Sequence, residues 1–495
     1  MDIKMIVDEL NKTTGVEIDP SYYLMIDEWR QWWAGYVKSF HRYRELQDRG
    51  GYKVRDLYTL RMAKKVCEDW AACLLNEKTE ISVDDNASMN YLQGEDGYGG
   101  VLADINFWDE ANALVEKAFY SGTGAFVMKL DGLNAAEDGQ ISISPDAAIR
   151  MEYLPAYCII PLSRAYGQIT EAAFVSESTV RGKSYVYLEI HTLENGGNGG
   201  YVIENRYYEQ RNYSLVRAEL SEGIAPKFIT GSPLPFFSIV RPNMVNPYKN
   251  NLGLGCAVFS QAIDNLKGVD LAFNNFCRDF KLGGKKVFYN RELTKVAGVT
   301  KEGRPIYIAP DDMMQQLFVS IGDEVVDDKK LVHEFNPDLR VGDNKDGIQA
   351  HLDYLSFKCG LGARHYRFDA SSAAPVTATQ YTGEKQELKQ NAAKHGIVIE
   401  RAIRDIVKAI LWAGKNILGQ PVNPESEITV NFSDGYIVSD GEKRAQDLQD
   451  VRNRIMQPWE YRMKWYGEDE ATAKAMIVGN VPTFGGYTYP AGEDE

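Results

Sequence analysis

The chain has 495 residues, enough for roughly three domains and a sizeable buried core. Hydrophobic residues make up 44% and charged residues 25%, and nothing approaches the roughly 18 consecutive apolar residues of a membrane span. The formal charge of −15 disfavours tight, phosphate-gripping binding of nucleic acid, which needs a basic stripe. An acidic wall would instead let a duplex slide past without sticking. Met1-Asp2-Ile3-Lys4 lacks the basic-then-apolar pattern of a secretion signal, so synthesis and assembly in the cytoplasm are expected. Cys67, Cys73, Cys158, Cys256, Cys277 and Cys359 form no CxxC pair and read as reduced, partly buried thiols.

Tyr23, Ile26, Trp29, Trp33 and Tyr36 recur at helical spacing and predict an aromatic, core-facing helix. Further helices are expected at about 57–75 and 107–120, with exposed loops at Asp84-Asp85-Asn86 and from Gly94 to Gly100. From about Gly124 the period changes to two. It predicts strands at 125–130, 141–144, 149–154, 168–175, 185–191 and 201–208, an antiparallel sheet on a helical frame. The class is therefore α+β, and the missing βαβ rhythm argues against a doubly wound fold.

Cys256 to Lys281 reads as one uninterrupted helix, roughly 40 Å long, with Phe259, Leu266, Phe273 and Phe276 on one face. A small β-like insert follows at 285–290, 305–309 and 317–321. A second helix returns at about 344–359, with Leu352 and Leu355 in register. Two helices holding a compact insert make a stalk with a tip. Arg364 to Pro375 is polar and rich in small residues, as an exposed, mobile loop would be. The longest helix pattern runs from about 377 to 418 along Ile399, Ile403, Ile406 and Ile410, with Gly396 its one weak point. A strand at 428–432, a linker at Asp434-Gly435, helices at about 441–454 and 468–478, and a Gly/Pro/Tyr-rich end complete the chain.

Catalytic signatures are missing. Arg181-Gly182-Lys183-Ser184 ends like a phosphate-binding loop, but Glu177 stands where the leading glycine belongs, so it reads as a hairpin turn. Gly253-Leu254-Gly255 reads as a helix entry and Gly122-Thr123-Gly124 as a turn into a strand. The six histidines form neither HxxxH nor HExxH. No catalytic residue, metal site or cofactor is expected.

Several stretches resemble the portal proteins of tailed bacteriophages, especially long-tailed phages of Gram-positive bacteria. The most specific are Pro235-Phe236-Phe237-Ser238-Ile239-Val240-Arg241-Pro242-Asn243, Gly253-Leu254-Gly255, Ala262-Ile263-Asp264-Asn265-Leu266, and Arg278-Asp279-Phe280 before Lys285-Lys286-Val287. Phe335-Asn336-Pro337-Asp338-Leu339-Arg340, Gly360-Leu361-Gly362, Thr377-Ala378-Thr379-Gln380 and Tyr466-Gly467 are similar too. Gln380 departs from the family pattern, which has an acidic residue there.

The resemblance implies a non-enzymatic, dodecameric ring at one capsid vertex, the conduit for double-stranded DNA in packaging and ejection. Its implied partners are the terminase, a head–tail adaptor, the major capsid protein and a scaffold, with no membrane. Its regions would be a wing at 1–252, stem helices at 253–282 and 344–362, a clip within 283–343, a tunnel loop at 363–376, a long helix at 377–420 and a crown at 421–495. Arg364, His365 and Arg367, with Ser371 and Ser372, would line the DNA channel; the alternative is that these cations pair with acids of a neighbouring subunit. Asn290, Arg291, Glu292, Lys301 and Arg304 would serve docking at the clip. Phe259, Leu266, Phe273, Phe276, Leu352 and Leu355 would pack the stem. Two other classes compete: an adaptor or baseplate ring protein, which has no need of a stalk, and a DNA-cleaving enzyme, which needs converging acids.

Overall fold

Helical spacing of large apolar side chains shapes the start of the chain. α1 (Ile3–Thr14) buries Ile6, Val7 and Leu10, and α2 (Tyr22–Ala34) buries Tyr22, Tyr23, Ile26, Trp29 and Trp32. Gly35, at φ 84°, stops α2 in the left-handed conformation that glycine adopts without a Cβ penalty. Tyr36, expected on the helix, lies beyond this stop and is exposed. The computed structural model describes residues 3–46, 51–76, 79–95, 97, 99–135, 141–194, 200–211, 214–220, 224–289, 295–308, 318–320, 332–368, 378–432 and 440–477.

α3 (Lys38–His41) leads into a hairpin, β1 (Arg42–Leu46) with β2 (Tyr52–Asp56), that the sequence did not announce because almost every residue is exposed. α4 (Met62–Leu74) begins five residues later than its apolar pattern suggested. β3 (Glu80–Val83) follows. Asp84-Asp85-Asn86 is no plain loop: Asp85 accepts the Ser88 backbone N–H and opens α5 (Asn86–Gln93). α6 (Gly100–Asp104) and α7 (Phe107–Ser121) complete the helical frame.

Two antiparallel sheets stand on this frame. β4 (Gly124–Ala135) pairs with β5 (Ile141–Pro155), one long strand where two shorter ones were expected. β6 (Ile159–Ala165), β7 (Gln168–Val180), β8 (Lys183–Leu193), β9 (Tyr201–Arg211) and β10 (Ser214–Ala218) form a meander, with β11 (Lys227–Ile229) also on β9. Arg181-Gly182 is the β7–β8 hairpin turn, both residues at positive φ, and not a phosphate loop. β12 (Phe237–Val240) adds to β4.

The run from Leu254 to Phe259 is buried throughout and is not helical. Gly255 meets Gly122 backbone to backbone: a Cβ on Gly255 would lie 2.2 Å from the Gly122 carbonyl oxygen. Tyr22 Oη donates to the Gly255 carbonyl at 2.6 Å, and the Gly255 N–H donates to Thr123 Oγ1 at 2.9 Å. This contact pins the chain against the body, and α8 (Ile263–Leu282) starts after a 3-10 turn at Ser260–Ala262 instead of at Cys256. It is about 30 Å long. Phe259, expected on the stem face, is fully buried in the body.

Next come β13 (Lys286–Tyr289), β14 (Lys295–Val299), β15 (Pro305–Ile308), β16 (Phe318–Ser320) and β17 (Val332–Phe335), then α9 (Val341–Lys358) and α10 (Ala378–Asn416). Gly396 does not interrupt α10. Its stripe of Ile399, Ile403, Ile406 and Ile410 is at most 1% exposed, each side chain contributing about 1.5–3 kcal/mol relative to exposure. β18 (Ile428–Asn431) pairs with β3 and closes that edge of the body. Met1–Asn431 form one unit and Phe432–Glu495 a second. In the second, α11 (Asp440–Arg452) is joined to α12 (Pro458–Tyr466) by polar contacts, and Lys474 of α13 (Glu470–Ile477) lies over the Trp459 ring. Arg444 donates to Tyr461 and Tyr466, and Asp447 accepts from Lys464 and Trp465. Helix accounts for 46% and sheet for 26%, so the class is α+β. Asp434-Gly435 and the Gly/Pro/Tyr-rich end lie outside the described residues.

Candidate functional site

The stalk is α8 against α9. Gly268 lies against the His351 ring, while Asp279, further along α8, meets Arg340 and Asn344 at the start of α9, before His351, so the two helices run antiparallel. Leu266, Leu352 and Leu355 are buried at the root, and Phe273 and Phe276 are half-buried, the latter edge-on to Phe368 at 5.8 Å. One carboxylate fixes the root to the body. Asp270 accepts the Leu60 backbone N–H at 2.8 Å and faces His41 Nε2 at 3.1 Å. Val37 N–H donates to His41 Nδ1 at 2.8 Å, which leaves Nε2 as the protonated nitrogen. At the far end Arg340 grips Asp279 with two donors, at 3.1 and 2.7 Å, and Asn344 adds a third at 2.7 Å. Asp279 is held below the usual carboxylate range by the hydrogen bonds from Arg340 and Asn344.

The tip is two small sheets. β13 lies between β16, to which it runs parallel, and β17, to which it runs antiparallel; β14 and β15 form a separate hairpin. Lys301 and Arg304 sit in that hairpin's turn and are exposed, with Gly303 at φ 80° accommodating the reversal. Asn290, Arg291 and Glu292 lie outside the described residues.

At the stalk root Gly360 (φ 78°) and Gly362 (φ 85°) turn the chain, and Trp70 Nε1 donates to the Cys359 carbonyl at 3.1 Å. The next residues are not the free loop that the sequence suggested. Tyr366 is buried and donates to Asp69 at 2.9 Å; Gln349 donates to the Tyr366 carbonyl and accepts the Phe368 N–H, both at 2.8 Å. His365 Nε2 lies 3.5 Å from Asp69, so the acid beside it belongs to its own chain. Burial alone would raise Asp69, yet hydrogen bonds from His365, Lys65 and Tyr366 leave its carboxyl below the ordinary value. Arg364, at φ 62°, and Arg367 are exposed. Ser371 and Ser372 lie outside the described residues. Tyr366→Phe is expected to cost about 1.5–3 kcal/mol, the worth of a hydrogen bond to a charged acceptor. An unchanged urea midpoint would show that the phenol does not anchor this segment.

A second buried network escaped sequence reasoning. Glu189, 4% exposed, accepts from Lys129 at 3.0 Å and His191 Nε2 at 2.8 Å between the two antiparallel sheets. Glu189 and His191 share a face of β8 two positions apart, but Lys129 arrives from β4, sixty positions earlier in the chain, so no local spacing announces the network. Among the described residues no group of three or more His, Cys, Asp or Glu is placed to hold a metal, and no helix is long and apolar enough to cross a membrane.

The chain belongs to the phage portal proteins: residues 19–471 match the family described as "Phage portal protein, SPP1 Gp6-like". No curated protein matches it. Membership gives the protein a portal role in DNA packaging and a place in the virion's capsid. The family is structural and works as an oligomeric ring in contact with DNA.

Proposed function

We propose that the chain forms a dodecameric ring at one capsid vertex of a long-tailed phage of Gram-positive bacteria. The ring is the passive conduit through which double-stranded DNA is packaged and later ejected. The stalk with its β tip, within a family match from 19 to 471, carries this reading. The terminase supplies the force from ATP; the portal supplies a collar and docking surfaces, and needs no catalytic group, metal or cofactor. The exposed turn bearing Lys301 and Arg304 suits docking of the terminase and then the head–tail adaptor at the tip, and the body suits contact with the major capsid protein and scaffold. Exposed Arg364 and Arg367 support a channel-facing segment at 363–376, where they meet phosphates without reading sequence. His365, beside Asp69, serves that segment's foot instead. Ring formation is assembly of newly made subunits in the host cytoplasm.

Negative-stain imaging and mass measurement of the purified protein test the proposal. Rings with a central hole and radial wings are expected. A compact monomer or dimer at high concentration would remove it.

A further inference from the structure

The β1–β2 hairpin stands apart from both sheets. Its strands pair only with each other among the described residues, and an isolated two-stranded hairpin is marginal in water. The register sorts its side chains into two faces. Tyr43, Glu45, Lys53 and Arg55 share the face turned toward α8, where Glu45 feels the charges of Arg278 and Lys281. Near the hairpin's foot the Tyr58 N–H reaches Asn274 Oδ1 at 3.4 Å. The other face presents Arg44, Leu46, Tyr52 and Val54. Leu46 is 68%, Tyr52 69% and Val54 52% exposed, a large apolar exposure for so short a segment.

The second stalk helix carries a matching surface. At about 100° per residue, Asp343, Asp346, Ala350, Tyr354 and Phe357 fall opposite the buried Ile348, Leu352 and Leu355. All five are exposed, Tyr354 at 54% and Phe357 at 50%. One surface is therefore cationic and apolar, the other anionic and aromatic, and they lie on different elements of one subunit. A closed ring is built from such heterologous pairs, in which two unlike patches meet around the circle. The hairpin segment 42–56 carries five Lys or Arg against three acids in a chain of net charge −15, so its natural counterpart is an acidic surface of the same protein.

We infer that the β1–β2 hairpin of one subunit docks, through Arg44, Leu46, Tyr52 and Val54, on the outer stripe of α9 in a second copy of this chain. The inference rests on ring assembly, and the test keeps the two apart. Full-length protein carrying Leu46→Cys and Ala350→Cys is assembled, imaged, and treated with a short bis-maleimide. A ladder of covalent multimers is expected from the double variant, above the background that each single variant sets with the native thiols. Rings without a ladder would overturn the docking and leave the ring standing. Absence of rings from the unaltered protein would overturn both. Arg44→Glu supplies the independent arm: ring yield is expected to fall, and Asp346→Arg in the same chain to restore part of it. If Arg44→Glu rings form as before but lose retention of DNA, the hairpin faces DNA and the docking is wrong.

Discussion

Asp270→Ala is expected to lower the stability of the body by about 4 kcal/mol and to loosen the stalk at its root. The carboxylate is buried and satisfies two donors, the part-buried Leu60 N–H and the buried His41 Nε2–H. Leaving a buried donor unpaired costs about 1–3 kcal/mol each, so the two together dominate whatever the smaller side chain gains. Asp270→Asn keeps one acceptor oxygen but sets an amide N–H against the other donor, and should recover only part of the loss. Two measurements check this. Urea midpoints should rank native, Asn and Ala in that order, and amide exchange along α8 should rise more than exchange along α10. Equal exchange in both helices would mean that Asp270 stabilises the body without positioning the stalk.

Acid should release α10 from the body through one histidine. His395 lies between the edges of Trp70 and Phe119, at 4.8 and 5.1 Å, and its Nδ1 accepts the Asn243 N–H at 3.0 Å. Burial, with a smaller push from Lys394, brings it from 6.5 down to about 4. In the unfolded chain the ring takes its proton near 6.5; in the fold it resists until about 4. The stability that neutral His395 contributes is therefore complete above pH 6.5, drains as pH falls from 6.5 to 4, and is gone below that. The total is about 3 kcal/mol. His395→Gln retains an acceptor for Asn243 and removes the titration. The gap between the two stability profiles should open over that window, and parallel profiles would refute the assignment.

Some of this architecture was legible because the local period and the burial agree. The isoleucines of α10 are spaced for a helix and are buried as a stripe, and the stalk's return helix was placed within a few residues. The entry to α8 was misread for a physical reason. From Leu254 to Ser260 every residue is buried, so polarity offers no period to separate extended chain from helix. The Gly122–Gly255 contact decides it, from 133 positions away in the chain. The β1–β2 hairpin was missed for the opposite reason: its residues are nearly all exposed, so its few apolar side chains mark no buried face. At the loop, the small polar residues after Arg364 suggested freedom, but Tyr366 was the sign of anchorage, a large aromatic that finds a buried place against Asp69. Pairs such as His41 with Asp270 carry no local signature at all.

The strand that closes on β3 also sets a clock. The bond from the Glu427 N–H to Asp84 spans 343 positions of chain. At the usual pace of synthesis β3 waits on the order of tens of seconds for its partner to leave the ribosome. Ile428 and Val430 are both buried, so until then one wall of the body is open. A nascent chain therefore cannot offer a finished surface to its neighbours before β18 has been made, and the arrival of that strand decides when a subunit becomes competent to join others.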